Sequence, residues 1–167
     1  NGHPDKKMPS LRAFDLQVLV DVLAYVQTLP SGTAASSLAR GGRLYDDWRR
    51  ESDFYFTAFP GSSAFDFNRR HPAYPIDKKY ADDPEVNWRC KECHGWDYKG
   101  AGGVYAEGGH ATGIKGIDGM AGAAPDQIIA VLKNATHAYD GLMSEEDFRD
   151  LSQFVSSGQV DMHRFID

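Results

Sequence analysis

The sequence predicts an all-α fold, and two observations favour this class. Apolar residues recur at the i, i+3, i+4, i+7 spacing of a helix in segments at about 15–29, 34–51, 125–134 and 144–158. Residues that start or stop helices flank these segments, and glycine-rich or aromatic-rich stretches with little periodicity join them. We therefore expect four helices connected by long irregular segments.

The first predicted helix follows Asp15, which can cap it, and Pro30 with Gly32 ends it. The second helix can be capped by Ser36 or Ser37 and contains the adjacent glycines Gly41 and Gly42. One apolar face of this helix carries Leu38, Gly41, Gly42, Tyr45 and Trp48. Two glycines inside a helix cost about 1 kcal/mol each relative to alanine. We expect another helix to cross closely at this point, although a weak helix that tolerates both glycines is the simpler alternative.

The third helix begins near Pro125, a residue suited to a first turn, and buries Ile128, Ile129 and Leu132. The fourth begins at Ser144, which with Asp147 approximates a capping box. Gly158 ends this helix, and its predicted buried stripe is formed by Phe148, Leu151, Phe154 and Val155.

Residues 52–89 show little periodicity, but they carry nine aromatic residues from Phe54 to Trp88 among prolines, aspartates and asparagines. Disordered segments are poor in aromatic residues, so this stretch is predicted to be a long ordered loop. It can cover one edge of a bound group or an apolar helix face away from that group, and both alternatives stay open.

The most specific pattern in the chain is Cys90-Lys91-Glu92-Cys93-His94. C-x-x-C-H is the attachment motif of a c-type haem, in which two thiols bond one porphyrin edge and the following imidazole binds the iron. The chain contains two cysteines, and both belong to this motif. We therefore expect one covalent haem c, held by Cys90 and Cys93, with His94 as the proximal ligand.

Three other interpretations of this pair compete with haem attachment. A redox disulfide of the thioredoxin type should follow a strand, whereas the segment before Cys90 is rich in proline, aspartate and tyrosine. A structural zinc site needs a second pair of cysteine or histidine ligands at metal-like spacing, and none appears. In the third interpretation, two free thiols have this spacing by chance.

Composition limits the class of partner. The formal net charge of −6, without a basic stripe, argues against nucleic-acid binding and favours redox partners with a basic docking face. No apolar run approaches the roughly 20 residues of a membrane-spanning helix, so no transmembrane segment is expected in this chain. Covalent haem attachment takes place outside the bacterial cytoplasm, which indicates the periplasm.

These elements in this order resemble class I c-type cytochromes over residues 36–167. Cys90, Cys93 and His94 match the motif of that family, and the Gly41-Gly42-Tyr45 helix is similar to its first helix, whose glycine meets an aromatic residue of the last. The resemblance implies a cytochrome c-like helical domain at 34–167, with 52–89 as an insertion. Residues 1–33 resemble the end of a second, tandem cytochrome domain, and a helical appendage is the alternative.

The resemblance also implies a sixth iron ligand from the loop before the last helix. We expect His137, which lies in that loop, because Met143 is needed as a hydrophobic staple against Phe148. Met120, Met143 and an open site remain alternatives, whereas His71 and His110 are expected to be solvated loop histidines. Met162 and His163 are expected at the surface.

The predicted function is one-electron transfer, as a shuttle or a relay, through a low-spin haem with His94 and His137 as axial ligands. An electron carrier is favoured over an enzyme because full coordination excludes small ligands. The alternatives are a haem-containing subunit of a larger oxidoreductase complex and a small-ligand-binding haem protein with a displaceable distal ligand.

Overall fold

The structure, a computed structural model, describes residues 33–53 and 70–161, with side chains from residue 36 onward. The chain divides into two compact units, Asn1–Ala35 and Ser36–Asp167. The helix predicted at 15–29, the nature of residues 1–33, and Met162 and His163 lie outside the described residues. Over the described ranges the chain forms helices and turns, with one isolated β-bridge and no sheet, so the all-α prediction is confirmed.

Helix α1 spans Thr33–Glu51 and is interrupted by non-helical backbone at Asp47. Its range agrees with the predicted 34–51 to within one residue, but Ser36 and Ser37 lie inside the helix, so the expected serine cap is wrong. The hydroxyl of Ser37 donates instead to the carboxylate of Asp150, a tertiary contact that the local sequence does not reveal.

Two short helices precede the glycine-rich segment. Helix α2, Pro84–Asn87, begins after Asp83, whose carboxylate accepts a hydrogen bond from the backbone N–H of Glu85 at 3.1 Å. Helix α3, Cys90–His94, consists of the C-x-x-C-H motif itself. The described part of the predicted loop, residues 70–89, is therefore ordered by turns and by α2, while its first part lies outside the described ranges.

The glycine-rich segment folds back on itself through a bridge between Gly100 and Lys115. A Cβ atom on Gly100 would lie 2.7 Å from the backbone nitrogen of Gly116, so no larger residue fits there. Gly100 also has a φ of +51°, which favours glycine. Glycine at this position therefore allows the two parts of the segment to approach each other at backbone distance.

Helices α4, Pro125–Lys133, and α5, Glu145–Ser157, match the third and fourth predicted helices. The capping box of α5 is complete, because Asp147 N–H donates to the Ser144 hydroxyl and Ser144 N–H donates to the Asp147 carboxylate. The predicted buried stripe is confirmed: Phe148, Leu151, Phe154 and Val155 are all buried.

The predicted helix crossing is also confirmed. Gly41 of α1 lies against the backbone of Asp150 and the side chain of Phe154 in α5. Arg40 strengthens the contact by donating to the carboxylates of Asp147 and Asp150. One core cluster joins α1, α4, α5 and the loop before α5; it includes Leu44, Tyr45, Trp48, Ile128, Leu132, Tyr139, Met143, Phe148 and Leu151.

Candidate functional site

A cavity of about 630 Å³ opens beside α3 and is enclosed by α1, α4, α5 and the segments between them. This volume is in the range of small-molecule and cofactor pockets. Cys90, Cys93, His94 and His137 all line it, so the structure brings the four residues that the sequence singled out to one place. The other lining residues are mostly apolar, and the charged ones are Arg89, Lys115 and Asp118.

Both cysteine thiols border the cavity from α3 and are otherwise buried. Cys90 is 8% exposed and Cys93 is 7% exposed, and the two are not joined by a disulfide. Burial raises the pKa of Cys90 to about 11 and that of Cys93 to about 12. Thiol–disulfide catalysts depend on a lowered thiol pKa, so this environment does not favour the thioredoxin-like interpretation.

The ring of His94 is oriented by a backbone carbonyl. Its Nδ1 lies 2.8 Å from the carbonyl oxygen of Lys115, and because that oxygen can only accept, Nδ1 carries the proton. Burial lowers the pKa of His94, with the Lys115 carbonyl opposing the shift, so the neutral ring is favoured. Nε2 then keeps a free lone pair, as a metal-binding imidazole requires.

The residue after His94 is held from α1. The hydroxyl of Tyr45 donates to the carbonyl of Gly95 at 2.6 Å, and both groups are buried. Gly95 ends α3 with a φ of +78°, a conformation that favours glycine. Tyr45 therefore fixes the end of the motif to the helix that crosses α5.

His137 lies in the turn between α4 and α5. The side-chain oxygen of Asn134 accepts hydrogen bonds from the backbone N–H groups of Thr136 and His137, at 2.9 and 3.0 Å. Ala138 follows with a φ of +57°, which a non-glycine residue adopts only under local constraint. The backbone around His137 is thus closely defined by its own turn.

The His137 ring is half-buried in the cavity wall. Burial lowers its pKa, and the Val131 carbonyl opposes that shift. Its Nδ1 is buried and makes no well-formed hydrogen bond with the described residues. No hydrogen bond among the described residues uses the Nε2 of either His94 or His137.

The rings of His94 and His137 lie close together in the wall of the cavity. Their centres are 6.2 Å apart and their planes differ by 22°. A metal–imidazole nitrogen bond is about 2 Å, so two imidazoles that bind one metal from opposite sides have centres roughly 6 Å apart. The distance between the ring centres is therefore compatible with two ligands of one metal ion.

The alternative methionine ligands occupy different positions. Met120 lies in a short 3-10 helix, Asp118–Met120, and lines the cavity. Met143 is 3% exposed, belongs to the same core cluster as Phe148 and does not line the cavity. This location agrees with the packing role predicted for Met143, and of the two described methionines Met120 is the one that lines the cavity.

The expectation for His71 is wrong, because His71 is 3% exposed and lines the cavity. Its ring stands edge-on to Trp88, with centres 4.5 Å apart. His110 is partly exposed as expected, but its Nδ1 pairs with the buried carboxylate of Glu92 at 2.8 Å. No local pattern marks His71, since the residues around it show no periodicity; only contacts between distant segments reveal its burial.

Within the described ranges, no group of three or more histidine, cysteine, aspartate or glutamate side chains is arranged to hold a bare metal ion. None of the helices in these ranges combines the length and apolar character needed to cross a membrane.

Comparison with known proteins finds no matching family model, no matching curated protein and no matching solved structure.

Proposed function

We propose that this chain is a periplasmic c-type cytochrome with a cytochrome c-like fold that transfers single electrons through one covalently bound haem. The observation that carries the proposal is the 6.2 Å separation of the His94 and His137 rings in the wall of a cavity that Cys90 and Cys93 also line. A haem requires only two axial ligands from the protein, because the porphyrin nitrogens bind the other four positions of the iron.

The residues fit such a group chemically. Cys90 and Cys93 would hold it covalently, and His94 would bind the iron through the Nε2 that its Nδ1–H···O=C bond leaves free. His137 would provide the second imidazole ligand of the iron. A bound haem would supply an iron couple that gains and loses one electron.

The protein's own contribution would be to set the potential and to exclude competing ligands. Two imidazoles give a lower reduction potential than an imidazole and a thioether. The mostly apolar wall would limit the access of water to such a group, and an iron held by both His94 and His137 would offer no coordination position to a substrate. The arrangement therefore favours an electron carrier over an enzyme, with a redox protein or a larger oxidoreductase complex as partner.

The test is to produce the chain in a host that attaches haem c and to extract it with acid and acetone. We expect the colour to stay with the protein, one haem per chain, and low-spin spectra in both oxidation states. The double variant Cys90→Ala/Cys93→Ala should lose its colour to the organic phase. If colour leaves the parent protein as well, the haem is not covalent and the proposal fails.

The spectra of the same sample separate the alternatives. A small-ligand-binding protein with a displaceable distal ligand should bind carbon monoxide readily in the reduced state, whereas two fixed histidine ligands should resist it. A weak band near ~695 nm in the oxidised protein would instead indicate a methionine ligand and would point to Met120.

A further inference from the structure

His71 connects the segment before α2 to the turn that carries His137. The Nε2 of His71 lies 2.9 Å from the carbonyl oxygen of His137, although the two residues are 66 positions apart. Among the described residues, no other hydrogen bond reaches this carbonyl. The contact therefore joins the backbone of the proposed distal ligand to a separate part of the chain.

The direction of this hydrogen bond follows from the other ring nitrogen. Nδ1 of His71 accepts from the backbone N–H of Ala73 at 3.2 Å, so the proton of the neutral ring is on Nε2. Nε2–H then donates to the His137 carbonyl, and both ring nitrogens are satisfied, so His71 is not available as an iron ligand.

His71 is itself rigidly held. Its backbone N–H donates to the side-chain oxygen of Asn87 at 2.9 Å, and Asn87 is fully buried. The Asn87 amide donates in turn to the carbonyls of Tyr80 and Ala81 at 2.9 and 3.1 Å. The position of the His71 ring is thus fixed by a network within residues 70–89, independent of the turn at His137.

We propose that His71 is a positioning residue: its Nε2–H fixes the backbone of His137 and thereby keeps the His137 ring at the cavity. The inference rests on the proposed function and deepens it, because it assigns a role to the described part of the 52–89 segment. Through His71, that segment holds the turn that carries His137. The turn is also held by its own hydrogen bonds to Asn134.

The test measures how readily an added ligand displaces the distal histidine. Cyanide is mixed with the oxidised holoprotein, and its rate of binding to the haem is followed by absorbance. In His71→Phe the ring packing is retained and the donor is lost, so we expect cyanide to bind roughly threefold to tenfold faster than in the parent. His71→Gln retains a side-chain N–H of similar reach and should return the rate towards that of the parent.

His110→Gln is the matched control, since His110 is a paired histidine that does not line the cavity. It should leave the cyanide rate unchanged. An unchanged rate in His71→Phe would overturn the proposal, and so would equal acceleration in His71→Phe and His71→Gln, because packing alone would then explain the effect.

A measurement on the parent protein covers the case in which the variants do not fold. In the reduced, diamagnetic state, the Nε2 proton of His71 should exchange slowly with solvent in NMR spectra, and rapid exchange would overturn the proposal. The proposed function fails separately: a parent protein without a covalent haem or without two histidine ligands overturns both inferences. If the parent has a covalent haem with two histidine ligands and His71→Phe leaves the cyanide rate unchanged, only the positioning role is overturned.

Discussion

Gly41 of α1 and Phe154 of α5 are in direct contact, such that a Cβ atom added at position 41 would lie 2.6 Å from the Cβ of Phe154. Carbon atoms do not approach so closely, and the carbonyl of Asp150 limits the same space. The glycine therefore allows the two helices to cross at backbone distance. The destabilising effect of glycine on α1 is offset by the packing that it permits.

Replacing Gly41 should consequently destabilise the protein. Gly41→Ala should cost roughly 1–3 kcal/mol by overpacking, although alanine is the better helix former. Gly42→Ala is the matched control, because its Cβ would be 3.2 Å from the ring of Phe154, where a small ring movement suffices. Urea unfolding of both variants checks this, and equal stability of the two would contradict the close crossing.

The distal ligand can be exchanged by mutation. His137→Met should raise the reduction potential, since a thioether replaces an imidazole, and His137→Ala should give high-spin iron that binds carbon monoxide. Met120→Leu and Met143→Leu should leave the spectrum unchanged. Potentiometry measures the change in reduction potential, and absorption spectra report the spin state. If Met120→Leu gave high-spin iron and His137→Ala left the spectrum unchanged, Met120 would be the ligand.

Asp147 should make the protein sensitive to acid. Burial alone would raise its pKa, but hydrogen bonds from Ser52, Ser144 and Arg40 outweigh this effect and hold the pKa below its ordinary value of 3.8. A lowered pKa in the folded state stabilises the fold above the unfolded-state pKa, and this stabilisation is lost as the pH falls through the folded-state value.

Asp147→Asn should accordingly cost roughly 1.5–3 kcal/mol at pH 7, as expected for hydrogen bonds to a charged group. The difference from the parent should shrink as the pH is lowered below about 4. Urea unfolding at several pH values measures it. A difference that does not change with pH would mean that the charge of Asp147 does not stabilise the fold.

Tyr139 should contribute less than its complete burial suggests. Its hydroxyl donates to the Trp88 carbonyl at 2.8 Å, but the indole N–H of Trp48 donates to the same oxygen at 3.1 Å. Tyr139→Phe therefore leaves the carbonyl with one partner and should cost about 1 kcal/mol in urea unfolding. A loss well above this value would show that the two donors act as a unit, which a double-mutant cycle with Trp48→Phe would measure.

The helices were predictable because their signals are local. The capping box of Ser144 and Asp147 and the periodic stripe of α5 define a helix from adjacent residues alone. The role of Ser37 was not predictable, because its hydroxyl donates to Asp150, 113 positions later, and does not cap α1. Helix α2 is only four residues long, too short for a periodic pattern.

The candidate site likewise contains residues that a local pattern revealed and one residue that it did not. Cys90, Cys93 and His94 are adjacent and share one motif, and His137 was selected by its place in a turn before the last helix. His71 was missed because its significance lies in a tertiary contact with the His137 backbone. A lone histidine in an aperiodic segment has the same local pattern whether it is buried or solvated.

The bond from Tyr45 to the Gly95 carbonyl has a consequence for the order of maturation. Tyr45 also packs against Phe154, with ring centres 5.6 Å apart, so closing the α1–α5 pair simultaneously fixes the chain just after the two thiols. In the closed arrangement both thiols are buried, and burial raises the pKa of each, which disfavours the thiolate that forms bonds. Any covalent attachment at Cys90 and Cys93 is therefore fastest on a chain that has not yet folded, and folding afterwards traps the product.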